Sequence, residues 1–141
     1  MIGPQHRIYA CFFLFALSLG ALMSRLPDLQ TSLGVSESQL GLTIIGMSIG
    51  SLISLTLSSP LIARAGARVT AFVTVFGTAA IYALIPWLGS AEAVFAALFF
   101  AGLLAGALEI NLNVEADRTE AQLGKRIMNR AHGFWSVGFF I

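Results

Sequence analysis

Charge is what this 141-residue sequence has least of: Lys, Arg, Asp and Glu together make up 11% of it, against roughly a quarter in a soluble domain. That scarcity excludes an ordinary water-facing surface. Eight basic and seven acidic residues leave a formal net charge of +1, so no bulk field selects a nucleic acid as partner. There is one cysteine, Cys11. It rules out an internal disulfide and, lying in an apolar run, reads as a small buried hydrophobe. The two histidines, His6 and His132, have neither a cysteine nor each other nearby, so no metal or other cofactor is expected. No nucleophile and base stand at helical spacing, which argues against an enzyme.

What remains is apolar. Hydrophobic residues make up 57% of the chain, eleven of them phenylalanine, and the mean hydropathy is +0.84. The few charges cut the sequence into blocks at about 8–24, 40–62, 69–88 and 91–116, and a fifth block starts near 132 and reaches 141. A helix needs roughly 20 apolar residues to cross the hydrocarbon. These are continuous runs with short connections, not alternating ones, so the expected fold is an all-α, polytopic transmembrane bundle of four spans plus the start of a fifth. The first block is too long, and Leu22, Met23 and Ser24 too bulky, for a cleaved signal peptide. A fifth block shorter than a span suggests part of a longer polytopic protein.

Orientation follows from the basic residues. With the N-terminus in the cytoplasm, Arg7, Arg64, Arg68, Arg118, Lys125, Arg126 and Arg130 lie inside and only Arg25 lies outside. The reverse orientation would invert that bias. The segment from Asp117 to Arg130 reads as a solvated linker beside anionic headgroups. His132 reads as a hydrogen-bonded residue opening the fifth helix, and Trp135 as an interface anchor.

Two helix faces stand out. Gly46, Gly50, Ser54 and Ser58 recur every four residues in the second block, which suits either close helix packing or a polar path along the serines. In the fourth block, Gly102, Gly106, Glu109 and Asn113 share one face. Glu109 lies seven residues before Ala116, about 10 Å along the axis. At that depth an ionised carboxylate costs about 3 kcal/mol or more. Protonation, a partner or a wet cavity avoids that cost. A carboxyl group that is neutral when dry and ionised when wetted can carry a proton. The competing reading is a protonated or paired glutamate that ties helices together. Asn111 points about 200° away from Glu109, toward a neighbouring helix, and Glu115 is placed to pair with Arg118.

The connection between the second and third blocks reads Ser59-Pro60-Leu61-Ile62-Ala63-Arg64-Ala65-Gly66-Ala67-Arg68. It resembles the Gly-x-Leu-x-Asp-Arg-x-Gly-Arg-Arg loop of the major facilitator superfamily, matching at Leu61, Arg64, Gly66 and Arg68 and departing at Ser59, Ala63 and Ala67. Three further stretches are similar to a bacterial inner-membrane branch related to the fucose/proton symporter. They are Ser24-Arg25-Leu26-Pro27 followed by Leu33-Gly34-Val35-Ser36 and Gln39-Leu40-Gly41; Leu108-Glu109 with Asn113; and Ile127-Met128-Asn129 with His132, Trp135, Ser136 and Gly138. The resemblance implies two six-helix halves rocking about a central site, each built from inverted three-helix repeats, with the first and fourth helices lining the cavity. It assigns Glu109 and Asn113 to proton coupling and the cavity, and Arg64, Gly66 and Arg68 to a loop that switches with conformation. Met23 and Trp135 stand where the fucose symporter carries an acidic residue and an asparagine, which argues against fucose as substrate. No repeat between the first and fourth blocks is visible in the sequence itself.

The expected function is therefore proton-linked, alternating-access transport of a small solute across a bacterial inner membrane. Its partners would be the bilayer, a solute, a proton and the remainder of the transporter. The alternative is a non-transporting membrane scaffold or truncated remnant.

Overall fold

The computed structural model describes residues 3–141, and every regular element among them is helical. The order is α1 (Pro4–Ser24), α2 (Leu26–Leu33), α3 (Glu37–Leu57), α4 (Ser59–Ala65), α5 (Ala67–Leu84) running into a 3-10 turn (Ile85–Trp87), α6 (Ala91–Leu123) and α7 (Met128–Phe140). Four stretches, carried by α1, α3, α5 with its 3-10 turn, and α6, are long and apolar enough to cross a membrane.

Local chemistry sets these limits. Ser36 caps α3 reciprocally with Gln39: the Gln39 amide donates to Ser36 Oγ, and the Ser36 amide donates to Gln39 Oε1. Ser90 opens α6 by accepting from the Ala93 amide. Pro27 and Pro60 sit in the first turns of α2 and α4, where a missing amide proton costs nothing. Gly66, at φ +83°, makes the sharp turn between α4 and α5, a conformation that side chains oppose.

Three helical details differ from the sequence reading. A short helix, α2, fills part of the connection between the first two spans. The helix expected from 40 to 62 ends at Leu57, and the chain continues as the separate helix α4 around Pro60. The stretch from Asp117 to Arg130, expected as a linker, is mostly helix: α6 runs unbroken to Leu123, and α7 begins at Met128 rather than near 132. A helix of 33 residues is about 50 Å long against a hydrocarbon thickness of about 30 Å. The charged last turns of α6 therefore project beyond the apolar layer.

That projection is tied to the next helix. Glu120 Oε2 accepts from the amides of Ile127 (2.7 Å) and Met128 (3.1 Å), satisfying donors that the start of α7 would otherwise leave open. The Met128 bond and then the Ile127 bond hold the Glu120 carboxyl below the ordinary carboxylate range. A folded-state pKa that is depressed gives stability above the unfolded pKa and loses it as pH falls through the folded value. Acidification through that window should therefore fray the first turn of α7. The check is faster amide exchange at Ile127 and Met128 in acid, reproduced near neutral pH by Glu120→Ala.

Backbone contact, rather than large side chains, sets the helix arrangement. α3 and α6 run side by side in the same direction and touch through glycines. A methyl placed on Gly46 would lie 2.6 Å from Phe95 O, and one on Gly106 would lie 2.7 Å from Ser51 O and 2.9 Å from Ser54 Cβ. Methyls on Gly50 and Gly102 would collide with Phe99 O and Met47 O. Small residues permit this approach where lipid offers no hydrophobic drive between helices.

The same seam is built a second time between α1 and α7, where Gly138 meets Phe13 O and Gly20 meets Phe139 O. Phe13 and Gly20 are seven residues apart, as are Phe95 and Gly102. Gly138-Phe139 and Gly46-Met47 are each consecutive. The bundle thus pairs α1 with α7 as it pairs α6 with α3. One apolar cluster joins α1, α5, α6 and α7 around Phe12, Leu108, Leu112 and Ile127. Another joins α1, α2, α3, α5 and α6 around Leu22, Tyr82, Val94 and Leu98.

Candidate functional site

Helix α6 is the hub, and three of its sides have distinct neighbours. Gly102 and Gly106 face α3. Leu108 and Leu112 are buried in the cluster that includes α1. Asn111, only 2% exposed, donates from Nδ2 to Ala67 O at the start of α5, at 2.9 Å. Replacing Asn111 by leucine keeps the branching and the heavy-atom count of the side chain and removes this interhelical bond. The expected cost is about 1 kcal/mol, read as a lower thermal midpoint of the full-length protein in detergent.

Glu109 is fixed by what it is not near. Two residues before Asn111, it projects about 200° away from the α5-facing side, into the gap between the α3 and α1 faces. It is exposed, and among the described residues no hydrogen bond or ion pair holds it. Asn113, one turn further on, is half-buried. The face that carries Gly102, Gly106, Glu109 and Asn113 is therefore divided. Its glycine half is a packed seam against α3, and its carboxylate half is open.

Ser54 is buried in the α3–α6 seam beside Gly106, and Ser58, also buried, ends α3. Arg64 ends α4 and Arg68 lies in the first turn of α5; both are exposed, on either side of Gly66. Glu115 Oε1 pairs with Arg118 Nη1 at 3.0 Å. His132 is exposed, its ring 5.3 Å from that of Phe12. Trp135 is half-buried and stacks on Phe139. No group of three potential metal-binding side chains occurs among the described residues.

Two features escaped the sequence. The glycine pair Gly20 and Gly138 carries no spacing motif of its own, because each helix contributes a single glycine to the α1–α7 contact. The Glu120 cap depends on a turn between α6 and α7 that no local pattern announces.

In this multi-pass helical bundle the central helix α6 thus carries Glu109, exposed and unpartnered midway along its length, beside the glycine seam with α3. Residues 8–141 match the Major Facilitator Superfamily, and the chain belongs to that superfamily. It is similar to an uncharacterized transporter of Sinorhizobium fredii, 28% identical over 144 residues that cover 98% of this chain and 37% of that protein. It is also similar to an uncharacterized MFS-type transporter of Yersinia pestis, 25% identical over 137 residues, 97% of this chain and 36% of that one. The chain thus spans a little over a third of the length of these relatives. No solved structure matches it significantly.

Proposed function

We propose that this chain is part of a proton-linked secondary transporter of a small solute, working by alternating access, with Glu109 as the group that takes up and releases the proton. The observation that carries this reading is the position of Glu109: on the central helix, turned away from α5, and without an internal partner. A carboxyl group left unpaired by its own bundle is free to face a cavity formed with the remainder of the transporter. Alternate opening of that cavity would present Glu109 to the two sides of the membrane in turn. Asn113, one turn away, would line the same cavity. The likeness to the fucose/proton symporter at Leu108-Glu109 and Asn113 supports the assignment, while Met23 and Trp135 count against fucose itself. Arg64, Gly66 and Arg68 would form the loop that changes contacts as the halves rock.

The membrane would be a bacterial inner membrane with the N-terminus in the cytoplasm, since seven of the eight basic residues then fall inside. Proteoliposomes of the full-length protein test the proton link. A solute found by thermal-shift screening should raise the external pH as it enters. Entry of that solute with no proton movement would remove the coupling from the proposal.

A further inference from the structure

Two sets of hydrogen bonds hold the turn between α4 and α5. Little else does: α4 buries none of its residues, and Gly66, which makes the turn, has no side chain to cap α5. The stretch from Ser59 to Arg68 carries two arginines and no acidic residue, and among the described residues no ion pair reaches either arginine. Within α5, Gly66 O accepts from the Thr70 amide and from Thr70 Oγ1, both at 3.0 Å. From outside α5, Asn111 Nδ2 donates to Ala67 O. The other side-chain hydrogen bond joining two spans among the described residues runs from Tyr82 to the Met47 sulfur, a weak acceptor. One amide on α6 is therefore the strong polar fastening between spans, and it grips the backbone beside Gly66.

We infer that Asn111 is a positioning residue: it fixes the α4–α5 turn, and with it Arg64 and Arg68, to the helix that carries Glu109, and it passes a change of charge at Glu109 to that turn. The inference rests on the proton-linked reading of Glu109. The two side chains lie two residues apart on one helix, about 3 Å along its axis and about 200° around it. Any roll of α6 that brings Glu109 toward water therefore swings Asn111 the opposite way, relative to α5. Loss of the proton favours such a roll, because an ionised carboxylate without a partner gains from water. No charged group of α1, α3 or α5 pairs with Glu109 among the described residues, and Glu115 is taken by Arg118. Asn111 is 2% exposed, and its hydrogen bond is directional. Either Ala67 O follows the amide or the bond is lost, and an unmade bond at a buried amide is costly.

The test is a double-mutant cycle on the full-length protein in nanodiscs, with its cysteines replaced by serine and a reporter, Ala65→Cys, at an exposed position beside the turn. A water-soluble thiol reagent reads the reporter at one alkaline pH and one salt concentration, with Glu109→Gln standing for the protonated carboxyl group. Glu109→Gln should change the labelling rate about threefold, the worth of one interhelical hydrogen bond in a membrane. It should change nothing in the Asn111→Leu background, nor in the less bulky Asn111→Ala background. A residue that only braces the fold would shift the rate equally with and without Glu109→Gln. Such equal shifts, or a reporter blind to Glu109→Gln, overturn the inference. Proton-driven accumulation of solute by the same variants separates the two claims. Its loss in Glu109→Gln together with additive labelling removes the role of Asn111 alone, and its survival in Glu109→Gln removes the proton reading on which that role rests.

Discussion

Gly50→Leu is expected to abolish the native bundle of the full-length protein. A side chain there meets Phe99 O and the Leu103 amide nitrogen, the latter 2.9 Å from the first added carbon. These are backbone atoms of a helix held on several sides by α1, α3 and α5, so rotamer changes cannot relieve the clash. The expected loss is about 3 kcal/mol or more, the upper range for overpacking. Gly102→Leu should behave alike, since its side chain would strike Met47 O. Gly41→Leu is the control: it lies in the same helix as Gly50, and nothing lies within 4 Å of its added carbon. Size-exclusion profiles and thermal midpoints in detergent separate the outcomes. Aggregated Gly50→Leu beside monodisperse Gly41→Leu is expected, and normal folding of both would mean that the α3–α6 seam is not closed in the membrane.

The second large effect belongs to Glu109→Gln. The amide keeps the shape of the carboxyl group and cannot exchange a proton. A pH difference of about one unit can support roughly tenfold accumulation for each coupled proton. The variant should lose that gain, so that solute only equilibrates, while exchange of labelled for unlabelled solute continues. Parallel loss of both activities would instead mark Glu109 as a residue the fold or the solute site needs. Intact accumulation would move the proton elsewhere.

The sequence made the spans legible because lipid imposes so strong a rule: with charge confined to the ends, the apolar runs announce themselves. The α3–α6 contact was half visible. Two glycines four residues apart in α3, Gly46 and Gly50, and again in α6, Gly102 and Gly106, signal close approach, but only the structure shows that the two pairs meet each other. The α1–α7 contact was not legible at all, since its repetition of the α3–α6 geometry lies in the placement of Phe13, Gly20 and Gly138 and not in any shared motif. The end of α6 was misjudged for a related reason. Charges from Asp117 onward suggested a linker, yet a helix can carry charges once it has left the lipid, and Gly124 at φ +60° marks the real stop. For the candidate site, the spacing correctly set Asn111 against Glu109, because a two-residue step on a helix nearly reverses direction. Spacing alone did not show that the face shared by Gly102, Gly106, Glu109 and Asn113 changes from packed to open within two turns.

Substituted-cysteine labelling of Glu109→Cys in a full-length protein in lipid, with Cys11 and every cysteine of the remaining chain replaced by serine, tests the central claim most directly. A water-soluble thiol reagent should modify the introduced cysteine, transported solute should slow the reaction, and Asn111→Cys should stay unmodified behind α5. Modification of Glu109→Cys only by a lipid-partitioned reagent, with no protection by solute, would contradict the account.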